Sequence, residues 1–178
     1  MNKILIALFV PFILLVTQVN AVGGQTASMG YASGHFDKIG GVGEARKVKS
    51  NGMNFNHHYQ ISPDWGVAGS FAWLKGDKNW NYSHSLLAGP TYRVNHYFSL
   101  YGVMGMTDLN WGNGAERGSD SDRYSYSDKN TVFTWGTGAL INPLENLAFY
   151  ILYTETRLQP ENENYYINGL NIGVGYHF

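Results

Sequence analysis

The chain of 178 residues contains no cysteine, and only 14% of its residues are charged. Without cysteine there is no disulfide to stabilise the fold, so stability has to come from packing or from the surroundings. Soluble domains usually carry about 25% charged residues, so this chain is poor in charge. The formal net charge of −1 argues against nucleic acid as a partner, because no broad basic surface is available.

Long hydrophobic runs are also scarce, and the amino terminus has the one clear example. A short positive segment, residues 1–3, precedes an apolar run over residues 4–16, and Val19-Asn20-Ala21 follows with compact side chains. This arrangement is typical of a secretory signal peptide, and the run is short for the roughly 20 residues of a spanning helix. The sequence predicts a signal peptide over residues 1–21, cleaved after Ala21, and a single domain over residues 22–178.

Glycine and aromatic residues are what the chain has in abundance, with 22 glycines and 15% aromatics. From Gln25 onward, stretches of alternating polarity are separated by segments rich in Gly, Asn, Asp, Ser and Pro. Since no second run can span a membrane as a helix, membrane-crossing strands would have to close into a barrel to pair every backbone group. We therefore predict an all-β fold, an eight-stranded antiparallel transmembrane β-barrel of the outer-membrane type. A soluble up-and-down barrel stays open as the alternative.

The last strand shows the alternation most clearly. Its large residues share one face, and Gly or Asn fills most of the other, which suits lipid outside and a narrow interior. Two points speak against a uniform pattern. The segment 98–106 has large apolar residues on both faces and cannot be oriented, and Pro90 within a strand cannot donate a ladder hydrogen bond.

The connections alternate in length. Residues 61–65, 95–97 and 142–146 read as tight turns, whereas longer polar segments occupy about 34–51, 76–82, 112–129 and 160–164. Short turns at one rim and long loops at the other are the known asymmetry of outer-membrane barrels. We expect the four long segments to be extracellular loops, with both termini at the short-turn side.

Five segments carry distinctive motifs: 88–95 (AGPTYRVN), 99–105 (SLYGVMG), 135–138 (WGTG), 142–146 (NPLEN) and 173–178 (GVGYHF). In their residues, order and spacing these segments resemble the Ail/Lom/OmpX family of outer-membrane proteins. The first half matches more loosely. One departure is the interior, where inward positions carry Asn56, His58, Tyr150 and Leu152 and leave Arg93 as the clear inward charge. Hydrogen bonds and packing should therefore replace an ion network there.

The resemblance implies a surface protein of the bacterial outer membrane, without enzyme activity or cofactor and acting as a monomer. Family members attach to host cells or extracellular matrix and resist complement, so host matrix or complement-regulating proteins are the expected partners, together with outer-membrane lipid and lipopolysaccharide. The alternative is a structural or envelope-adaptation barrel that acts through lipid contacts without a protein ligand. An eight-stranded barrel has room only for side chains, which argues against a conducting pore.

Loop residues are the candidates for ligand binding. Two properties mark them, positive charge for acidic partners and aromatic rings for interface anchors: Lys38, Arg46, Lys47, Lys49, Trp80, Tyr82, Arg117, Arg123, Tyr124 and Tyr126. A solvated loop remains the alternative for the charges, and a membrane-interface belt remains the alternative for the rings.

The end of the chain resembles the signal by which outer-membrane assembly machinery recognises its clients. Its residues are Leu170, Ile172, Val174, Tyr176 and Phe178. We found no metal-ligand spacing among the histidines, since His57 and His58 point to opposite faces of one strand. For catalysis, His84 beside Ser83 or Ser85 is the nearest candidate, and nothing in the sequence orients it. No metal site and no catalytic residue are predicted.

Overall fold

The computed structural model describes residues 24–39, 48–76, 82–112, 127–158 and 164–178. They form eight strands: β1 (Gln25–Ile39), β2 (Val48–Gln60), β3 (Trp65–Gly76), β4 (Tyr82–Asn95), β5 (Phe98–Gly112), β6 (Ser127–Leu144), β7 (Leu147–Leu158) and β8 (Asn164–His177). Across these described ranges, no helix is long and apolar enough to cross a membrane.

Each strand pairs antiparallel with the next, and β8 pairs with β1 to close the barrel. The closing seam runs from Thr26 opposite His177 to Ile39 opposite Asn164. Closure leaves neither β1 nor β8 as an open edge, so the backbone of the sheet is paired internally, as lipid requires. The predicted fold class is confirmed.

Short connections join β2 to β3, β4 to β5 and β6 to β7 at one end of the barrel, which we call the turn end. In the first of them, the N–H groups of Ile61 and Ser62 donate to the carbonyl of Trp65 at 3.0 and 2.9 Å. In the second, the Asn95 side chain accepts from the N–H of Tyr97 at 2.9 Å, a side-chain turn typical of Asn. The opposite end, from which the longer connections leave, is the loop end.

Side chains alternate between an apolar exterior and a filled interior, as the sequence predicts. The structure also orients β5, whose two faces are both apolar in sequence. Tyr101 and Val103 point inward and are buried, while Met104 and Met106 face outward. The inward pair has space because Gly138 and Gly136 of β6 lie directly opposite.

The strands extend further toward the loop end than the sequence predicts. β1 continues to Ile39 and β2 begins at Val48, so residues 34–39 and 48–51 of the predicted loop 34–51 belong to the sheet. Likewise, β6 begins at Ser127, inside the predicted loop 112–129. The reason is that beyond the membrane both faces of a strand are free to carry polar residues, so the alternation that identifies strands disappears.

Pro90 lies within β4, opposite Val67 of β3, with its side chain exposed. The ladder between β4 and β5 has no pairs at Gly89 and Pro90, and it resumes at Thr91 opposite Tyr101 in unchanged register. The register shift comes later, between Arg93 and Asn95. Pro90 is therefore accommodated by two missing pairs on one side of the strand, not by a bulge.

Packing and hydrogen bonds fill the interior, as predicted from its few charges. Tyr150 spans the barrel, and its hydroxyl donates to Asn54 Oδ1 at 2.9 Å. Gly173 makes room for this ring, because a Cβ there would come within 2.6 Å of Tyr150 Cε1. Leu152, 0% exposed, packs in the same cluster.

Candidate functional site

The loop end is where the predicted ligand-binding residues belong. Lys49, in β2, and Tyr82, the first residue of β4, are exposed there. Lys38 lies in β1, and its side chain is outside the described part of the structure. The remaining candidates lie outside the described residues altogether: Arg46, Lys47, Trp80, Arg117, Arg123, Tyr124 and Tyr126. The structure therefore does not test whether these residues come together.

Tyr82 belongs to an aromatic cluster on the exterior at the loop end, together with Phe71, Trp73 and His84. The His84 ring stacks parallel to Trp73, with centroids 6.3 Å apart, and meets Tyr82 edge-on at 5.5 Å. The Tyr82 hydroxyl accepts a hydrogen bond of 2.6 Å from Asn110. Rings with an apolar body and a polar tip are typical of the membrane–water interface, so the alternative reading of Tyr82 as a belt residue gains support.

A second exterior cluster at the loop end was missed by sequence reasoning. Arg157 Nε lies 3.5 Å from Glu155 Oε1, and its guanidinium sits 5.3 Å from the centre of the Tyr166 ring. Glu155 and Arg157 are two residues apart on one strand, so the period of two could have placed them on one face. The charge of Arg157 is exposed, and the neighbouring carboxylate offsets part of it.

The β5–β6 hairpin projects beyond its neighbour β7. Its two strands pair as far as Gly112 opposite Ser127. Pairing of β6 with β7 begins only at Thr134, opposite Thr156. Among the described residues, the segment 127–133 of β6 thus has a ladder partner on the β5 side only.

The one catalytic arrangement considered from the sequence is not formed. His84 faces outward into the aromatic cluster, whereas Ser85 points inward, where its Oγ accepts from Thr107 Oγ1 at 2.9 Å. Ser83 has the same parity as Ser85, so neither hydroxyl shares a face with the imidazole. Within the described ranges, no group of three or more His, Cys, Asp or Glu side chains is placed to hold a metal ion.

The residues of the predicted assembly signal all lie on the exterior of β8 or directly after it. Their exposed fractions are between 46% and 58%: Leu170, Ile172, Val174, Tyr176 and Phe178. Phe178 also pairs its backbone with Gln25, with hydrogen bonds of 2.7 and 2.8 Å. The apolar stripe is thus presented toward lipid at the strand that closes the barrel.

Comparison with known proteins agrees with this architecture. Residues 5–178 match the family described as outer membrane protein beta-barrel domain. The chain is 30% identical to the attachment invasion locus protein of Yersinia pseudotuberculosis, over 100% of this chain and 98% of that protein. It is 28% identical to outer membrane protein X of Escherichia coli K12, over 88% of this chain and 90% of that protein.

Solved structures give the same result. The crystal structure of Ail, the attachment invasion locus protein of Yersinia pestis, superposes with a TM-score of 0.64 at 26% identity, covering 88% of this chain and 99% of that one. A second structure of Ail, in complex with the heparin analogue sucrose octasulfate, has a TM-score of 0.63 at 25% identity and the same coverage. The chain belongs to the Ail/Lom/OmpX family of β-barrel proteins in the bacterial outer membrane.

Proposed function

We propose that this barrel attaches the bacterium to host cells or extracellular matrix and protects it from complement through its extracellular loops. The observation that carries the proposal is the length of the β5–β6 hairpin, whose ladder continues as far as Gly112 opposite Ser127 and places the third loop at the loop end. Short turns face the periplasm in such barrels, so this hairpin projects from the cell surface.

Polyanions are the partner class that the first loop favours. Lys38, Arg46, Lys47 and Lys49 outnumber the carboxylates Asp37 and Glu44 in and beside residues 40–47, and Lys49 is exposed at the start of β2. Lysine and arginine recognise sulfate and phosphate groups, and the related Ail has been crystallised with a heparin analogue. Sulfated matrix glycans and lipopolysaccharide phosphates are therefore proposed ligands of this loop, while the rings of the second and third loops would anchor protein partners.

The experiment compares the full protein with loop variants in a non-adherent laboratory strain. Replacing residues 113–126 by a short Asn-Gly turn should abolish attachment to host cells and survival in serum. The same replacement of residues 159–163 in the fourth loop, which contains none of the candidate binding residues, is the matched control. Both variants must reach the outer membrane as heat-modifiable, folded protein. Full attachment and serum survival after shortening of the third loop would reject the proposal.

The charged loop is tested separately. In the charged-loop variant, four residues are changed to Gln: Lys38, Arg46, Lys47 and Lys49. Cells that carry this variant should elute from immobilised heparin at a lower salt concentration, because salt screens the fewer charge pairs that remain. Arg157→Gln, which removes one exposed charge at the same end, is the control. Unchanged retention of the fourfold variant would exclude this loop as the polyanion site.

A second candidate function is envelope adaptation through lipid contacts alone, without a protein ligand. The aromatic cluster around His84 favours it, because those rings face outward at the loop end. This function predicts a weakened outer membrane on deletion of the gene, and restoration of the membrane by variants with shortened loops. Attachment would be unaffected by the deletion.

We also propose that the outer-membrane assembly machinery recognises the exposed apolar residues of β8 together with Phe178. Deleting Phe178 should lower the amount of heat-modifiable barrel in the outer membrane. Phe178→Tyr, which keeps an aromatic end, is the control. Normal assembly of the deletion variant would leave Phe178 as an ordinary interface residue.

A further inference from the structure

The turn end of the barrel contains a small polar pocket, on the side of the molecule opposite to the proposed attachment loops. It holds about 30 Å³ of free space, where a single water needs about 10–15 Å³. Residues of β1 to β6 and β8 surround it, together with Asp64 of the turn between β2 and β3. The other polar side chains among them include His58, Gln60, Arg93, Ser99, Asn142 and His177.

His58 lines this pocket with both ring nitrogens unpartnered. The residue is 5% exposed, and neither Nδ1 nor Nε2 has a hydrogen-bond partner within the described part of the chain. Its ring is nevertheless fixed, since it packs edge-on against Tyr101 with centroids 4.6 Å apart. A buried polar group without a partner is rare in native proteins and calls for a bound species that satisfies it.

Arg93 supplies the second observation, an inward cation without a counter-ion at contact distance. No carboxylate among the described residues lies within 4.0 Å of its guanidinium, and none of their acceptors is recorded in a hydrogen bond with it. Asp64, in the exposed turn between β2 and β3, lies beside Arg93, and its backbone carbonyl accepts a hydrogen bond of 2.7 Å from the Arg93 N–H. A guanidinium cannot shed its proton, so a half-buried one needs compensation from outside the side chain.

We propose that this pocket binds a small anion, a halide or a single carboxylate group, between Arg93 and His58. The guanidinium offers several donors and the only fixed positive charge, and one nitrogen of the imidazole adds an N–H donor. Asp64 is exposed to solvent, which screens its opposing charge. A metal ion does not suit the site, because no set of three metal-ligating side chains is placed for one in the described residues.

The size of the pocket restricts the ligand to an ion or group of a few heavy atoms. A free inorganic anion and the carboxylate of a periplasmic molecule share this chemistry, and the pocket opens toward the turn end, where either can enter. Bound there, the anion would link β2 to β4 past the intervening β3 and accept the hydrogen bonds that Arg93 and one nitrogen of His58 can donate. This site is independent of the proposed attachment function, since it lies at the other end of the molecule.

The test uses the isotope-labelled, refolded barrel in detergent micelles, prepared in a buffer whose only anion is too large for the pocket. Chloride and acetate are added separately at constant ionic strength, and amide shifts of Thr26, His58, Arg93 and Ser99 are followed by NMR. We expect saturable shifts that weaken about tenfold or more in Arg93→Gln, because the charge-assisted hydrogen bonds are lost. Arg157→Gln, an arginine change at the opposite end, should titrate like the unmodified protein.

The outcomes separate the two sources of the anion. Saturation by both ions supports a free inorganic anion, and saturation by acetate alone supports the carboxylate of a periplasmic molecule. If Arg93→Gln fails to fold, His58→Leu tests the same pocket and should lose the same shifts. Shifts that rise without saturation, or a titration unchanged by both variants, would overturn the proposal.

Discussion

The two ends of the barrel interior differ in how their buried polar side chains are hydrogen-bonded. Toward the loop end, four hydroxyls form a continuous chain from Ser85 through Thr107 and Thr134 to Thr156, with contacts of 2.9, 2.6 and 2.7 Å. Toward the turn end, the buried polar atoms of His58 and the Oδ1 of Asn142 have no partner among the described residues. One end satisfies its own polar groups, and the other leaves several of them without a partner from the described strands.

The difference shows which types of polar side chain can be fully hydrogen-bonded inside a narrow barrel. Hydroxyl groups are short and can both donate and accept, so threonines on adjacent strands bridge each ladder without bulk. Imidazole, guanidinium and amide groups need several partners in fixed directions, which the neighbouring side chains do not all provide. We therefore expect substitutions toward the loop end to destabilise the fold, and substitutions at the pocket to change binding more than stability.

The largest effect should come from filling the space that lies between the two ends. Gly173→Val places a branched side chain against the ring of Tyr150, where a Cβ alone would approach to 2.6 Å. Neither that ring nor the Gly30 backbone opposite can withdraw, so overpacking should prevent the heat-modifiable folded form from accumulating. Gly102→Val is the control, since a Cβ there meets its nearest atom only at 3.9 Å. A normally folded Gly173→Val barrel would show that Tyr150 is free to move.

An intermediate effect is expected from breaking the hydroxyl chain. Thr134→Val conserves volume and removes both of its hydrogen bonds, leaving buried hydroxyls on Thr107 and Thr156 with fewer partners. The free energy of unfolding in denaturant should fall by about 1–3 kcal/mol. Thr137→Val, on the exterior of the same strand with one 3.3 Å bond, should lose less. Equal losses for the two variants would mean that the chain adds nothing beyond separate hydrogen bonds.

Much of the fold was predictable from the sequence, because period-two alternation reports directly which face meets lipid. β8 shows this, since every large residue from Leu170 to Phe178 is exposed as predicted. The signal fails where both faces have the same polarity. In β5, Tyr101 and Val103 face inward although they are as apolar as the outward-facing residues beside them. At the loop end, residues 49–51 are polar on both faces although they are paired with β1.

The turn-end pocket could not be predicted, because it depends on which strands become neighbours. Arg93 was recognised as an inward charge, and His58 as an inward residue of its strand. That the two line one cavity follows from the register of β2, β3 and β4 and from the closure of the barrel, which alternation within a single strand does not contain. The loop candidates lie largely outside the described residues, so their arrangement stays a prediction.

The smallest effect on stability is expected from His58→Leu, and it sharpens the contrast between the two ends. The substitution breaks no hydrogen bond within the protein, since both ring nitrogens are unpartnered, and removes mainly the edge-on contact with Tyr101. In a buffer without small anions, the free energy of unfolding should therefore change by less than about 1.5 kcal/mol, the upper range for such a ring contact.

Adding chloride or acetate then distinguishes the loss of the ring contact with Tyr101 from the loss of the proposed anion site. The unmodified barrel should become more stable, because a ligand that binds only the folded state shifts the unfolding equilibrium. His58→Leu should gain less, and Thr134→Val, at the other end, should gain as much as the unmodified protein. If His58→Leu destabilised the barrel as strongly as Thr134→Val in the anion-free buffer, the polar atoms at the turn end would have partners within the folded chain, and the two ends would not differ.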